Sequence, residues 1–259
     1  MSDYTLRDLE LAGIKWELAD MPIMTQKTKT QVEAPQITPR QTSATIIAEI
    51  GRGTNTVVPP VAPVQTMSMD TVRAMASRPN DMNTLNRMIG EFNHPLRTTA
   101  TNTVCPHIGN GKLMIITDIP SSEDDATGQI LTGANGELMD KMLNAIGESR
   151  ETTSIVPMIF WRTPGGRTPT REELDMARPF IDRAIEIIRP RVILTLGTLP
   201  ATEIAGINLA KAHGTPITQE NGTVVMPIFH PNYLILKPTA KRDVWNALQN
   251  VQNILKNAE

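Results

Sequence analysis

From residue 80 onward the chain alternates between two hydrophobic patterns. "KLMIITDI" (112–119) is a continuous apolar run rich in isoleucine, the pattern of a strand buried on both faces. "TSIVPMIFW" (153–161) and "RVILTLG" (191–197) repeat it, and "PITQENGTVVMPIF" (216–229) reads as a strand, an Asn-Gly turn and a second strand. Between these runs the period changes to that of a helix. "LNRMIGEF" (85–92) predicts a short helix, and "NGELMDKMLNAIG" sets Leu138, Met142 and Ile146 on one face before stopping at Gly147. "TREELDMARPFIDRAIEIIRP" opens with a Thr170…Glu173 capping box, carries Leu174, Ala177, Ile181, Ile185 and Ile188 on one face, and ends at Pro190. A short helix through Ile204 follows the third run, and "KRDVWNALQNVQNILKNA" closes the chain with Val244, Leu248, Val251 and Leu255 inward. Strands alternating with helices predict an α/β protein: a three-layer α/β/α sandwich around a short, mostly parallel central sheet. Ligands of such folds sit in the loops beyond the carboxyl ends of the strands.

The first part of the chain lacks this periodicity. Residues 21–78 are rich in Thr, Pro, Gln and Val, with scarce apolar faces, and read as a disordered Pro/Thr-rich linker. Residues 1–20 predict a short N-terminal helix with Leu6, Leu9 and Trp16 partly on one face. That helix suits either a docking motif for a protein partner or a marginal helix with no fixed partner. The expected plan is therefore 1–20, 21–78 and a folded domain over 79–259.

Composition narrows the function. The chain has 259 residues and a net charge of −2, which argues against a strongly polycationic nucleic-acid binder but leaves room for a local basic groove. One cysteine, Cys105, permits neither an internal disulfide nor a four-thiolate metal cluster. The N-terminus lacks the basic start and apolar core of a signal peptide, and no apolar run approaches the ~20 residues of a membrane span. A cytoplasmic, monomeric protein without membrane attachment is expected.

Four loops follow strands: "TDIPSSEDDATGQILTGANGE", "WRTPGGRTPT", "GTLPAT" and "HPNYLILKP". The carboxylates of the first (Asp118, Glu123, Asp124, Asp125) suit either a divalent-cation site or an acidic loop capping a helix. His230 stands directly after a buried strand, where a histidine serves either chemistry or a local hydrogen bond. Cys105, His107 and His94 form a further, weakly patterned metal candidate. "GNGK" (109–112) precedes its strand instead of following it, the wrong side for a phosphate loop.

Taken in order, the Asp-x-Pro loop, "EDDATGQILTGANGELMDKML", "RTPGGRTPTREELDMARPFIDRAIEIIRPRVILTLGTLPA" and "FHPNYLILKP" resemble the uracil-DNA glycosylase superfamily, in particular its family-four branch, over residues 86–255. The resemblance implies DNA as partner, single- or double-stranded, and base-excision chemistry. The target nucleotide is flipped into a pocket. A donor stabilises the leaving base anion, and a carboxylate orients water on the sugar.

By this resemblance His230 matches the donor histidine, and Asp118 falls where the family has Glu. Ile119 and Pro120 continue that loop along the base pocket. Leu131 falls where the family stacks a Phe on the base, and Pro157 where an Asn reads the base edge. Proline has neither a side-chain donor nor an acceptor, so this departure is the gravest. The four cysteines of the family's frequent iron–sulfur cluster fall on Glu91, His94, Trp161 and Ala177, so no such cofactor is expected, with Trp161 filling the space. Arg162, Arg167, Lys237, Lys241 and Arg242, from the two loops flanking the presumed cleft, are the candidate DNA contacts, or else ordinary solvated charges. Two functions follow: a glycosylase with weak, altered or lost uracil excision, or a non-catalytic DNA- or protein-binding descendant.

Overall fold

The computed structural model describes residues 67–257. The expected N-terminal helix and most of the expected linker lie outside the described residues. The end of that linker is a correction. Residues expected to be disordered form helix α1 (Met69–Ala76), capped by Ser68, whose hydroxyl accepts the Thr71 N–H. Its two buried residues, Val72 and Ala76, lie one turn apart and pack among buried residues of α5. Two apolar residues make too narrow a stripe to stand out in a Met/Thr-rich sequence, and tertiary packing supplies what propensity does not.

The elements then run α2 (Met82–Glu91), β1 (Leu113–Thr117), α3 (Ser122–Thr127), α4 (Gly133–Ala145), β2 (Thr153–Pro157) and α5 (Arg171–Ile188). β3 (Val192–Leu196), α6 (Thr198–Ala205), α7 (Leu209–Ala212), β4 (Ile217–Thr218), β5 (Val224–Ile228), α8 (Pro231–Leu236) and α9 (Lys241–Lys256) follow. The strand order is β2-β1-β3-β5-β4; the first four are mutually parallel and β4 runs antiparallel to β5 across the Asn221-Gly222 turn.

The side-chain alternation of the strands divides the core in two. Met114 and Ile116 of β1, Val156 and Ile193 face a cluster built with α1, α2, α5 and α6. Leu113, Ile115, Val192, Leu194 and Met226 face the other, built with α4, α8 and α9. This is the expected α/β/α sandwich. The longest helix, α5, begins with the expected capping box: Thr170 and Glu173 each bind the other's backbone N–H. The second strand is shorter than its apolar run. β2 stops at Pro157, on the sheet edge, and Met158–Trp161 continue as buried, non-strand chain. The "GNGK" segment has a structural explanation. A Cβ on Gly109 would lie 2.4 Å from the Thr153 carbonyl carbon, so glycine is required where the two backbones cross.

Candidate active site at the carboxyl edge of the sheet

Parallel strands deliver their carboxyl ends to one edge. β1 ends into Asp118, β3 into Gly197 and β5, after Phe229, into His230. From β1 the chain steps outward to β2 and then returns to the other side of β1 to lay down β3. In such sheets that reversal is where a crevice forms, between the β1 and β3 ends. Gly197 adopts φ +97°, and a Cβ there would sit 3.5 Å from Asp118 Oδ2 and 3.6 Å from His230 Cβ. The positive φ favours glycine here, and the two distances place Asp118 and His230 on either side of the β3 end. The Gly197 N–H donates to the Ile228 carbonyl at 2.9 Å, fixing the β3 and β5 ends to each other.

His230 caps α8. Its Nδ1 accepts the Asn232 N–H at 3.2 Å. A backbone N–H can only donate, so the ring proton resides on Nε2. Burial pushes the imidazole pKa down to about 4, against the opposing pull of the Asp124 charge. At neutral pH the ring is uncharged and presents one N–H donor. Asp118 is half-buried, and its Oδ1 accepts the Ile119 N–H at 2.9 Å. Burial raises its carboxyl pKa above the ordinary range, which makes the carboxylate a stronger base.

The acidic loop caps a helix and does not gather a cation site. Ser121 and Asp124 form a reciprocal capping box on α3, and Asp124 Oδ1 accepts from both the backbone and the hydroxyl of Thr132. Asp125 accepts the N–H groups of Thr101 and Asn102. Among the described residues no three His, Cys, Asp or Glu side chains converge. His94, His107 and Cys105 bond instead to the carbonyls of Glu173, Arg150 and Asn86. Asp124, read from the sequence as either part of a cation site or a helix cap, is a cap that also reaches beyond its helix. It staples the Asp118 loop to the chain after Leu131 and bears electrostatically on His230. The Ser-x-x-Asp capping spacing was its only sequence signal.

The remaining pocket candidates divide. Pro157 pairs in register with Thr117, next to Asp118, and just past the strand the Met158 N–H donates to the Thr117 carbonyl at 2.9 Å. Ile119 is half-buried and Pro120 buried beside Asp118. Leu131 is 3 % exposed, packed in the α4/α9 cluster. Its φ is +51°, and its carbonyl is held by the Arg150 guanidinium.

At the positions that the resemblance assigns to cluster cysteines, Glu91 is exposed while His94, Trp161 and Ala177 are fully buried. His94 and Trp161 stack with centroids 4.6 Å apart and planes 9° from parallel; Phe92 packs against both rings. Trp161 Nε1 donates to Thr103 Oγ1 at 3.0 Å. These residues do not fit an iron–sulfur cluster: they offer no thiolate, and rings fill the space. The same block holds the Pro-Gly loop. Glu173, whose carbonyl bonds to His94, grips the Arg167 guanidinium with both carboxylate oxygens. Thr163 Oγ1 closes the turn onto the Arg167 carbonyl.

Of the five candidate DNA contacts, Arg167 is thus already committed to Glu173. Arg162 is half-buried beside Gly166. Lys237 lies 5.9 Å from the Tyr233 ring centroid, and Arg242 is exposed at the start of α9. Burial, with the like charge of Lys141, lowers the Lys241 pKa. The sequence reading also missed Leu236, 77 % exposed, which stands beside Ile235 at 42 % on the loop that carries His230. Its signal was the run Tyr233–Leu236, four apolar or aromatic residues in a row on a six-residue helix, of which only Leu234 is buried.

Residues 106–249 match the sequence profile of the uracil DNA glycosylase superfamily. The type-4 uracil-DNA glycosylase of Thermotoga maritima is 34% identical over 148 residues, covering 54% of this chain and 76% of the relative. That of Archaeoglobus fulgidus is 32% identical over 161 residues, covering 57% and 79%. A DNA polymerase of Bacillus phage SP01 is 23% identical over 129 residues, 49% of this chain but 14% of that protein. With its parallel sheet, its His-Pro loop and these relatives, the chain belongs to the uracil-DNA glycosylase superfamily, on the family-four branch.

Proposed function

We propose that this chain is a divergent uracil-DNA glycosylase-like protein of base-excision repair, acting on DNA, with weak, altered or lost excision of uracil and no iron–sulfur cofactor. The observation that carries the proposal is the split at the sheet edge. Asp118 and His230 lie on either side of Gly197, while Pro157, where the resemblance places an amide, pairs with Thr117 beside them.

The chemistry assigned to the retained pair is hydrolysis of an N-glycosidic bond. As the bond to the sugar lengthens, negative charge gathers on the base and positive charge on the sugar. His230 Nε2–H donates to a carbonyl oxygen of the departing base, and a neutral donor in a buried site stabilises that anion without prior proton transfer. Asp118 takes the proton of a water that adds to the anomeric carbon, a role favoured by its raised basicity. Leu236 is suited to wedge between base pairs while a nucleotide is flipped out. Lys237, Lys241 and Arg242 cluster where α9 begins, an arrangement of like charges that an anionic backbone relieves.

Base selection is where the resemblance implies a departure. A pocket that hydrogen-bonds a base edge discriminates by about 10⁴–10⁵, because the wrong base leaves buried polar groups unpaired. Pro157 contributes nothing to that term. Pro157 also favours a second reading, a non-catalytic DNA- or protein-binding descendant of the same fold.

The test is incubation with single- and double-stranded oligonucleotides carrying uracil, hypoxanthine or xanthine, followed by cleavage of abasic sites. Slow release with poor discrimination, abolished by His230→Ala, supports the glycosylase reading. DNA binding without release from any substrate selects the second. Efficient uracil-selective excision by the unaltered chain refutes the pocket assignment.

A further inference from the structure

The opposite edge of the sheet carries a second cationic feature. An open cleft of about 720 Å³ is lined by Lys112, Arg183, Glu186, Arg189, Arg191 and Thr223, among others. Lys112 and Arg191 immediately precede the neighbouring strands β1 and β3, and the Arg191 N–H donates to the Lys112 carbonyl at 2.8 Å. Five-residue strands at about 3.3 Å per residue set this edge roughly 16 Å from the Asp118–His230 crevice. A group bound at one edge does not touch the other.

The charges of this cleft are not balanced within the described residues. Arg183 is satisfied by the Glu186 carboxylate, the Pro79 carbonyl and Asn80. The side chains of Lys112, Arg189 and Arg191 are exposed and form no ion pair or side-chain hydrogen bond within the described residues. Arg189 also sits in the left-handed region (φ +49°, ψ +58°) at the end of α5, the position where helices favour glycine. A non-glycine residue there is strained. Retaining arginine at a glycine position, two residues from another arginine, concentrates positive charge at some expense of stability.

We propose that this cleft is a second nucleic-acid contact, which holds the phosphodiester backbone of a single strand on the face opposite the crevice. Two observations favour a phosphate backbone over an acidic protein segment. The named cations are mostly guanidinium groups, whose forked donors match phosphate oxygens. Ile185 and Pro190 are the only apolar residues of the lining, and none of the large exposed apolar side chains lies there. A protein partner needs an apolar centre to its interface, whereas a backbone contact needs only cations and polar groups.

The test uses the full chain and an undamaged thymidine octamer, with no dependence on base excision. Amide chemical shifts are followed during the titration, alongside a glutamate octapeptide of equal length. The octamer is expected to shift the amides of Lys112, Arg191, Gly222 and Thr223 at ~50 mM salt and to lose most of that effect at ~200 mM. A Lys112→Ala/Arg189→Gly/Arg191→Ala variant should weaken binding at these amides at least tenfold. It should not lose thermal stability, because Arg189→Gly removes the backbone strain. A Lys112→Arg/Arg191→Lys variant should keep the binding. The proposal is overturned by shifts confined to the His230 edge, by a triple variant that binds unchanged, or by tighter binding of the glutamate peptide at these amides. A chain with no excision activity leaves this test intact, so the two proposals fail separately.

Discussion

Protonation of His230 is the perturbation that probes the site most directly. Its Nδ1 already accepts a backbone N–H, and burial holds its pKa at about 4, against an ordinary 6.5. At pH 5.5 an ordinary histidine is about 90% protonated, whereas one at about 4 is roughly 3% protonated. The shift is also a stability statement. As pH falls, the unfolded chain takes up the proton first, so the contribution of His230 is fully present above pH 6.5. It is lost progressively down to about pH 4 and is flat below that. At about 1.4 kcal/mol per tenfold step, the gap is worth roughly 3 kcal/mol. His94 and His213 are also lowered by burial and share the sign, so the measurement is a difference. Chemical unfolding at pH 7 and pH 4.5 should show a smaller loss of stability in His230→Gln than in the unaltered chain. Imidazole nitrogen shifts should show an Nε2–H tautomer, still neutral at pH 5.5. A midpoint between pH 6 and 7, or a proton on Nδ1, would refute the placement of the donor.

Trp161→Ala should destabilise the fold by about 3–5 kcal/mol, because a fully buried ring, its stack on His94 and its bond to Thr103 are all lost; thermal melting checks this. Pro157→Asn, alone or with Leu131→Phe and Asp118→Glu, should raise uracil release in the oligonucleotide assay, and no gain from either variant would count against the register drawn at β2. The purified protein should be colourless, and stoichiometric iron and sulfide would contradict the reading of the aromatic block. Glu173→Ala removes the acceptor oxygens that hold both Arg167 and the α5 N-terminus, and urea unfolding should show a loss of about 1–3 kcal/mol.

The sandwich was legible because β1 and β3 are apolar but for Thr117 and Thr195 and the Thr170…Glu173 capping box fixes the start of α5 to the residue. That His230 and Asp118 reach the same edge of the sheet was legible because each follows the end of a parallel strand. α1 was not, since two apolar residues one turn apart carry no periodic signal until α5 is in place. The end of β2 was misjudged because an apolar run shows burial without showing where the ladder stops; that depends on Pro157. The staple by Asp124 and the stack of His94 on Trp161 join residues far apart in sequence, and no local pattern encodes such pairs.

α1 and α2, near the start of the described chain, find their apolar partners on α5, and the Phe92–His94–Trp161–Phe180 block draws on three separate stretches. During synthesis the early helices emerge with nothing to dock on. About 110 residues separate the end of α1 from the last α5 residue it needs, and at roughly 5–20 residues per second the wait is on the order of 5–20 s. Over that interval Leu85, Ile89 and Phe92 are open to whatever binds nascent apolar chain, and one half of the core closes only when the middle of the polypeptide arrives.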